Sequence, residues 1–222
     1  MNMGMNIIKL NSNFIMDKTT KLFDTWAKTG RSEEMERGHG TTVNKFLDKL
    51  RLEKNFIFLD IGCGNGWVVR KMSQNNSCVK AVGIDKSSSM IKNAKSKKDS
   101  KKQSFFVTDL ENWNTKEKFD IIFSMESLYY SVPMEPALKK IYSLLKKNGI
   151  FYCGTDFYSD NRLTTRWVKD MNVPMDLRSE KEWKSMFSEI GFQTKSKHVT
   201  DPKNRSKWKR EFGTLFVIGK KI

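Results

Sequence analysis

The chain has 222 residues, 38% of them hydrophobic and 30% charged, enough for one sizeable core under a polar surface. No stretch approaches the roughly 18 apolar residues of a membrane span, and the patchy start MNMGMNIIKLNSNFIM makes a poor signal peptide. Basic residues number 41 and acidic residues 25, a net charge of +16, which admits two readings: a Lys-rich soluble surface, or a polyanion-binding one with an RNA partner.

Two basic clusters carry much of that charge, residues 92–102 and residues 195–210, the second interleaving Trp208 with Lys207, Lys209 and Arg210. The cysteines Cys63, Cys78 and Cys153 form no C-x-x-C pair. That usage suits a reducing cytoplasm and offers no metal cage. His39 and His198 are too few for a His-rich site.

In chain order, residues 1–16 are expected to be loosely ordered and residues 17–55 to form a helical lid. Leu22, Phe23 and Trp26 recur at helical spacing, and Thr29-Gly30-Arg31 breaks the pattern. Ser32 is a candidate N-cap, with Glu33 and Glu34 behind it at the positive end of a helix dipole. Gly38-His39-Gly40 interrupts, and Val43, Phe46, Leu47 and Leu50 mark the buried face of a following helix.

Residues 56–69 read FIFLDIGCGNGWVV. The apolar run suits a buried parallel strand. Gly62, Gly64 and Gly66 let backbone approach a ligand with no Cβ in the way, and the helix that follows turns its free N–H groups to the same spot. The spacing is G-x-G-x-G, and Trp67 stands where the dinucleotide fingerprint needs its third glycine, which argues against a pyrophosphate ligand. Asp60, just before the turn, would repel a polyphosphate and tolerate a cationic ligand.

Strands and helices then alternate. Strands are expected over 79–84, 105–107, 119–123 and 150–155, and helices over 87–97 and 136–146, the latter closed by Asn148-Gly149 as a C-terminal cap. This βαβα order predicts a parallel, doubly wound sheet with helices on both faces. An inserted helical segment over 158–178 departs from the alternation. A capping box at Ser179 and Glu182 opens a helix over 180–190, stopped by Gly191. Strands over 192–199 and 211–218, separated by a basic loop, predict a final antiparallel pair.

The motif DIGCGNG at Asp60–Gly66 resembles motif I of the class I methyltransferases that use S-adenosylmethionine. The resemblance covers roughly residues 50–156 by motif and the last two strands by pattern. The front segment and residues 172–187 resemble a prokaryotic branch of small type 11 methyltransferases. It implies a Rossmann-like, mostly parallel seven-stranded sheet with an antiparallel last strand, and residues 56–222 as the cofactor-binding domain.

The resemblance also implies site roles. Asp60, Gly62, Cys63 and Gly64 would face the cofactor at the glycine turn. Asp85, with Lys86 beside it, would meet the ribose from the end of strand two, where a carboxylate can accept from both hydroxyls. Met90 would line the site. Asp109 would accept from the adenine amino group, with the Leu110 backbone at the ring. Ser124 opens the segment that faces the methyl group, and Arg31 would pair with the methionine carboxylate. Glu126, Tyr129 and His39 are the candidate catalytic residues, Glu126 orienting an amine or taking a proton from a hydroxyl. Trp26, Tyr129, Tyr130, Phe157 and Trp167 are expected to line an acceptor pocket. The expected function is methyl transfer to a small molecule. The alternatives are an RNA methyltransferase using the basic clusters and a non-catalytic module that binds the cofactor. Oligomeric state is not readable from these residues.

Overall fold

The computed structural model describes residues 18–50, 52 and 55–222; the expectation for residues 1–16 lies outside them. A helix over residues 18–28 (α1) leads through Gly30 into α2, Arg31–Leu47. Then follow β1 (Phe56–Ile61), α3 (Trp67–Ser73), β2 (Cys78–Asp85), α4 (Ser88–Ser96), β3 (Gln103–Val107) and β4 (Phe119–Met125). A 3-10 turn at Leu128–Tyr130 precedes α5 (Glu135–Leu144), β5 (Leu145–Thr155), α6 (Trp167–Met171), α7 (Glu180–Ile190), β6 (Phe192–Val199), α8 (Lys207–Glu211) and β7 (Thr214–Lys221).

The described strands form one seven-stranded sheet in the order β3-β2-β1-β4-β5-β7-β6. The first five run parallel, and β7 is antiparallel to both β5 and β6. The order reverses between β1 and β4, the switch point where an open α/β sheet leaves a crevice beyond its carboxyl ends.

The period-2 alternation of the strands fills two cores, one on each face. On one face Leu59, Ile61 and Ile122 pack with Leu138 and Ile141 of α5 and with Trp183 and Phe187 of α7. On the other, Phe56, Phe58 and Phe123 pack with Val43 and Phe46 of α2, Val69 and Met72 of α3, and Ile91 of α4. Each fully buried Phe of this set contributes on the order of 1.5–3 kcal/mol, so both helical layers are fastened to the sheet by its central strands.

Four local readings are corrected. α2 runs unbroken through Gly38-His39-Gly40, because Val43, Phe46 and Leu47 bury its C-terminal half and outweigh the glycines' helix penalty. Its N-cap is Gly30, in the left-handed region at φ 79°, while the Ser32 hydroxyl donates instead to Glu33 Oε2. α5 ends at Leu144, and Asn148-Gly149 lies within β5, where the register against β4 shifts and Asn148 has φ 64°. Finally, the basic loop holds a helical turn, α8, and the last strand starts at Thr214.

Candidate functional site

The glycine turn takes three positive φ values, 69° at Gly62, 51° at Gly64 and 77° at Gly66. A Cβ on Gly62 would stand 1.9 Å from Ser127 Oγ, and one on Gly66 2.6 Å from Phe105. The turn is pinned to β2: Gly64 N–H donates to Asp85 Oδ2 at 2.9 Å, and Ser87 N–H donates to Asp85 Oδ1 at 2.8 Å. Burial pushes the Asp85 carboxyl up, against the pull of these two N–H donors. Burial, then Asp85, push the Asp60 carboxyl well up.

A first cleft opens at this turn and encloses about 910 Å³, its mouth included. Gly62, Gly64, Asp85, Lys86, Met90 and Leu110 line it, with Glu126 and Tyr130 at its inner end. α1 covers it: Phe23 lies in the wall, and Asp24 Oδ1 accepts from the Ser87 hydroxyl (2.5 Å) and from Ser89 N–H (3.1 Å). A side lobe of about 480 Å³ is lined by Asp60, Cys63, Asn65, His39 and Glu126.

Asp109 stands beside the first cleft rather than in its wall, paired with Lys86 Nζ at 3.3 Å and accepting from Glu111 N–H at 3.1 Å. Of these two neighbouring acids, Glu111 is the one in the wall. Its Oε2 is buried with no hydrogen-bond partner, and burial, then Asp109, raise its carboxyl to about 7. Ser124 is buried inside the sheet between Ile61 and Cys153 and lines neither cleft. Arg31 lies away from the glycine turn. It pairs with Glu34 at 2.9 Å, covers the Trp26 ring at 5.4 Å, and its side chain is 55% exposed.

A second cleft of about 1040 Å³, its mouth included, meets the first at Glu126 and Tyr130. Its walls carry Trp26, Tyr129, Tyr130, Trp167 and Trp208. Phe157 is not among them: it is fully buried behind Trp167, with ring centroids 6.2 Å apart and planes 11° from parallel. Glu126, at φ 52°, is held in the left-handed region that non-glycine residues avoid. That backbone turn carries its side chain from the end of β4 to the junction of the clefts. It accepts there from the Tyr129 hydroxyl at 2.9 Å and from Asp156 N–H. Burial, then the Asp156 charge, raise the Glu126 carboxyl to about 8.

Behind Glu126 is a buried ion pair that sequence reading missed. Lys209 Nζ of α8 lies 2.5 Å from Asp156 Oδ2 at the end of β5, with side-chain exposures of 3% and 0%. Thr214 Oγ1 donates to Asp156 Oδ1 at 2.6 Å. Burial alone would raise the Asp156 carboxyl, but Lys209 and His39 bring it net down. Lys209 Nζ also lies 3.0 Å from His39 Nδ1. An ammonium only donates, so Nδ1 accepts and the neutral ring carries its proton on Nε2. Burial, then the Lys209 charge, lower His39 to about 4. Asp156 had one available signal, its position beyond the carboxyl end of β5. Lys209 had none, since in sequence it is one cation in a basic run.

A family profile described as a methyltransferase domain matches residues 52–213. The chain is 32% identical over 139 residues to a putative methyltransferase, 235L, of Invertebrate iridescent virus 6, covering 63% of this chain and 51% of that one. It is 38% identical over 104 residues to a ubiquinone biosynthesis O-methyltransferase of Pelagibacter ubique, covering 46% and 42%. It thus spans about half the length of the curated relatives it matches. Among solved structures, a chain from the complex between the Haloferax volcanii Trm112 methyltransferase activator and a putative methyltransferase superposes with a TM-score of 0.84, at 26% identity, covering 89% of this chain and 96% of that one. With the family profile spanning most of its length and the 3-2-1-4-5-7-6 sheet around a glycine turn, the chain belongs to the methyltransferase-domain family, as a class I S-adenosylmethionine-dependent member.

Proposed function

We propose that this domain transfers a methyl group from S-adenosylmethionine to a small-molecule acceptor held in the second cleft. One observation carries the reading: two clefts, one at the glycine turn and one walled by five aromatic rings, meet at a single buried carboxyl, Glu126. Concave, ring-lined clefts suit small ligands.

The residues present fit the cofactor. Asp60, Gly62, Cys63 and Gly64 would hold its methionine end, and Asp85 its ribose, with Lys86, Met90 and Leu110 along the wall. The unpartnered Glu111 Oε2 is a buried polar atom in that wall, and a donor such as the adenine amino group satisfies it. When bound, S-adenosylmethionine supplies a methyl on a sulfonium, whose carbon–sulfur electron pair stays with sulfur as an acceptor lone pair forms the new bond.

The protein's own residues do the rest. Glu126 holds or takes the acceptor proton, and Tyr129, donating to Glu126, fixes its orientation. His39 presents Nε2–H to the acceptor as a donor rather than a base, because Lys209 occupies Nδ1. α1 and the start of α2 act as a lid that excludes water. A reducing, cytoplasmic setting belongs to this reading, since the three cysteines are buried free thiols; none of the described helices is long and apolar enough to cross a membrane.

The basic run over 195–210 supports an RNA acceptor less than its composition suggests. Lys209 is buried, Lys207 pairs with Glu211 at 3.6 Å, and Arg210 donates to the Asn204 and Arg205 carbonyls. The test is incorporation of label from radioactive S-adenosylmethionine into a cell extract split into small molecules, lipid, RNA and protein. Label in the small-molecule fraction is expected; label confined to RNA, with an affinity falling steeply in salt, would overturn the reading.

A further inference from the structure

We propose that the acceptor is a small organic amine that enters the second cleft as its cation and is received by Glu126. This rests on the small-molecule reading above and goes beyond it in naming the chemical class.

The cleft wall is built for positive charge. Trp26, Tyr130, Trp167 and Trp208 present ring surface to it, and the faces of such rings attract ammonium and guanidinium groups. Trp26 already carries one, the Arg31 guanidinium 5.4 Å from its centre. Trp167 and Trp208 meet edge to face, centroids 5.5 Å apart and planes at 84°, which fixes a corner rather than a flat wall.

The ionic groups around the cleft point the same way. The acids in its wall are Glu34, Glu126, Asp156 and Asp170, against the cations Arg31 and Lys209 and a neutral His39. Arg31 is matched by Glu34 at 2.9 Å, Lys209 by Asp156 at 2.5 Å, and Asp170 by Arg166 at 3.1 Å. Among the described residues this leaves Glu126 as the carboxyl in the wall without a cation, held only by the Tyr129 hydroxyl and Asp156 N–H. Burial raises this carboxyl to about 8 in the empty cleft, and a ligand that brings one positive charge beside it favours its ionised form and completes the set. A carboxylate or phosphate would face Glu126 and Asp156 at close range. A neutral alcohol would meet Glu126 in its protonated form and give it no reason to ionise.

The chemistry balances. An ammonium nitrogen has no free lone pair, so Glu126, its own proton released to water as the cation binds, takes one of the ammonium protons. The freed pair makes the bond to the methyl group, and the Glu126 proton leaves to water through the cleft mouth. One ammonium proton is lost for each methyl gained. His39 cannot take this proton while Lys209 donates to its Nδ1.

The test uses the full chain saturated with S-adenosylhomocysteine and three probes of similar shape: 2-phenylethylamine, 2-phenylethanol and phenylacetate. Binding is followed by quenching of tryptophan fluorescence and by calorimetry. The ammonium is expected to bind at least about tenfold more tightly than the alcohol, with phenylacetate weakest. Glu126→Gln removes that preference. Trp208→Leu, which leaves the carboxyl network intact, lowers the preference about threefold or more. Equal affinities, tighter binding of phenylacetate, no measurable binding of the ammonium, or a preference that survives Glu126→Gln overturns the amine. In the extract experiment, label in a neutral or acidic small molecule overturns the amine alone, whereas label confined to RNA overturns the small-molecule reading beneath it.

Discussion

Along the first cleft, Gly62, Asp85 and Leu110 stand at or just beyond the ends of β1, β2 and β3, three consecutive strands, and each sits in a short motif. Along the second, His39 and Lys209 touch across 170 positions of chain, and Asp156 joins them from the end of β5. The first is a local device repeated at successive strand ends. The second exists only when α2, β4, β5 and α8 have been packed together. The difference teaches where each cleft is vulnerable. The first fails when a single turn is disturbed, and the second fails when a long-range buried pair loses a member.

Lys209→Met breaks the second region most severely. It leaves Asp156 buried without its cation, and removing one partner of a buried pair costs about 3–5 kcal/mol. Urea unfolding should show that loss in the midpoint with little change in slope. A loss below about 1 kcal/mol would mean the pair is no more than a surface one.

Asp85→Ala breaks the first. It removes the acceptor of Gly64 N–H and Ser87 N–H and the carboxylate offered to the ribose. Cofactor affinity should fall about hundredfold or more, since charge-assisted hydrogen bonds are the strong ones, while the far-ultraviolet circular dichroism stays unchanged. Unchanged affinity would remove Asp85 from the site. Gly62→Ala should cost about 1–3 kcal/mol through clash and positive φ, because its Cβ meets Ser127 Oγ. Adding Ser127→Gly should relieve the clash and leave the φ cost.

These contrasts explain what was legible in the sequence. The DIGCGNG turn, Asp85 and the capping box at Ser179 are read from neighbours in the chain, and the fold places them at β1, β2 and α7. The unbroken α2 was not legible: tertiary burial of Val43, Phe46 and Leu47 overrides the two glycines that suggest a break. Lys209 reads as a surface cation beside Lys207, and only the path of α8 buries it. Glu111 stands two residues from Asp109 in the same motif, and nothing in the sequence says which carboxyl the chain turns inward.

The second region also carries two opposed titrations. His39 is held down to about 4 from an ordinary 6.5. Its contribution is present above pH 6.5 and is lost as pH falls through about 4. Glu126 is raised from 4.5 to about 8, so its contribution is complete below 4.5 and is lost as pH rises through about 8. Between pH 4.5 and 6.5 the two slopes oppose one another. Glu126→Gln should therefore flatten the fall in stability from pH 6.5 to about 8, and His39→Asn the fall from 4.5 towards 4. Melting temperatures across that range check both. Of the groups facing these two, Asp156 is shifted down and Tyr129 up, both away from that window.

The smallest effect is expected at Gly40, in the interior of α2, where an added Cβ meets nothing within 4 Å. Gly40→Ala should stabilise the protein by roughly 0.5–1 kcal/mol, read as a rise in melting temperature with no change in cofactor affinity.

The most direct measurement is a calorimetric titration of the purified chain with S-adenosylmethionine and S-adenosylhomocysteine, beside nicotinamide and flavin nucleotides. Saturable heat with the two adenosyl compounds, lost in Asp85→Ala, is the predicted result. Silence with both, together with a clear signal from a nicotinamide or flavin nucleotide, would contradict the account.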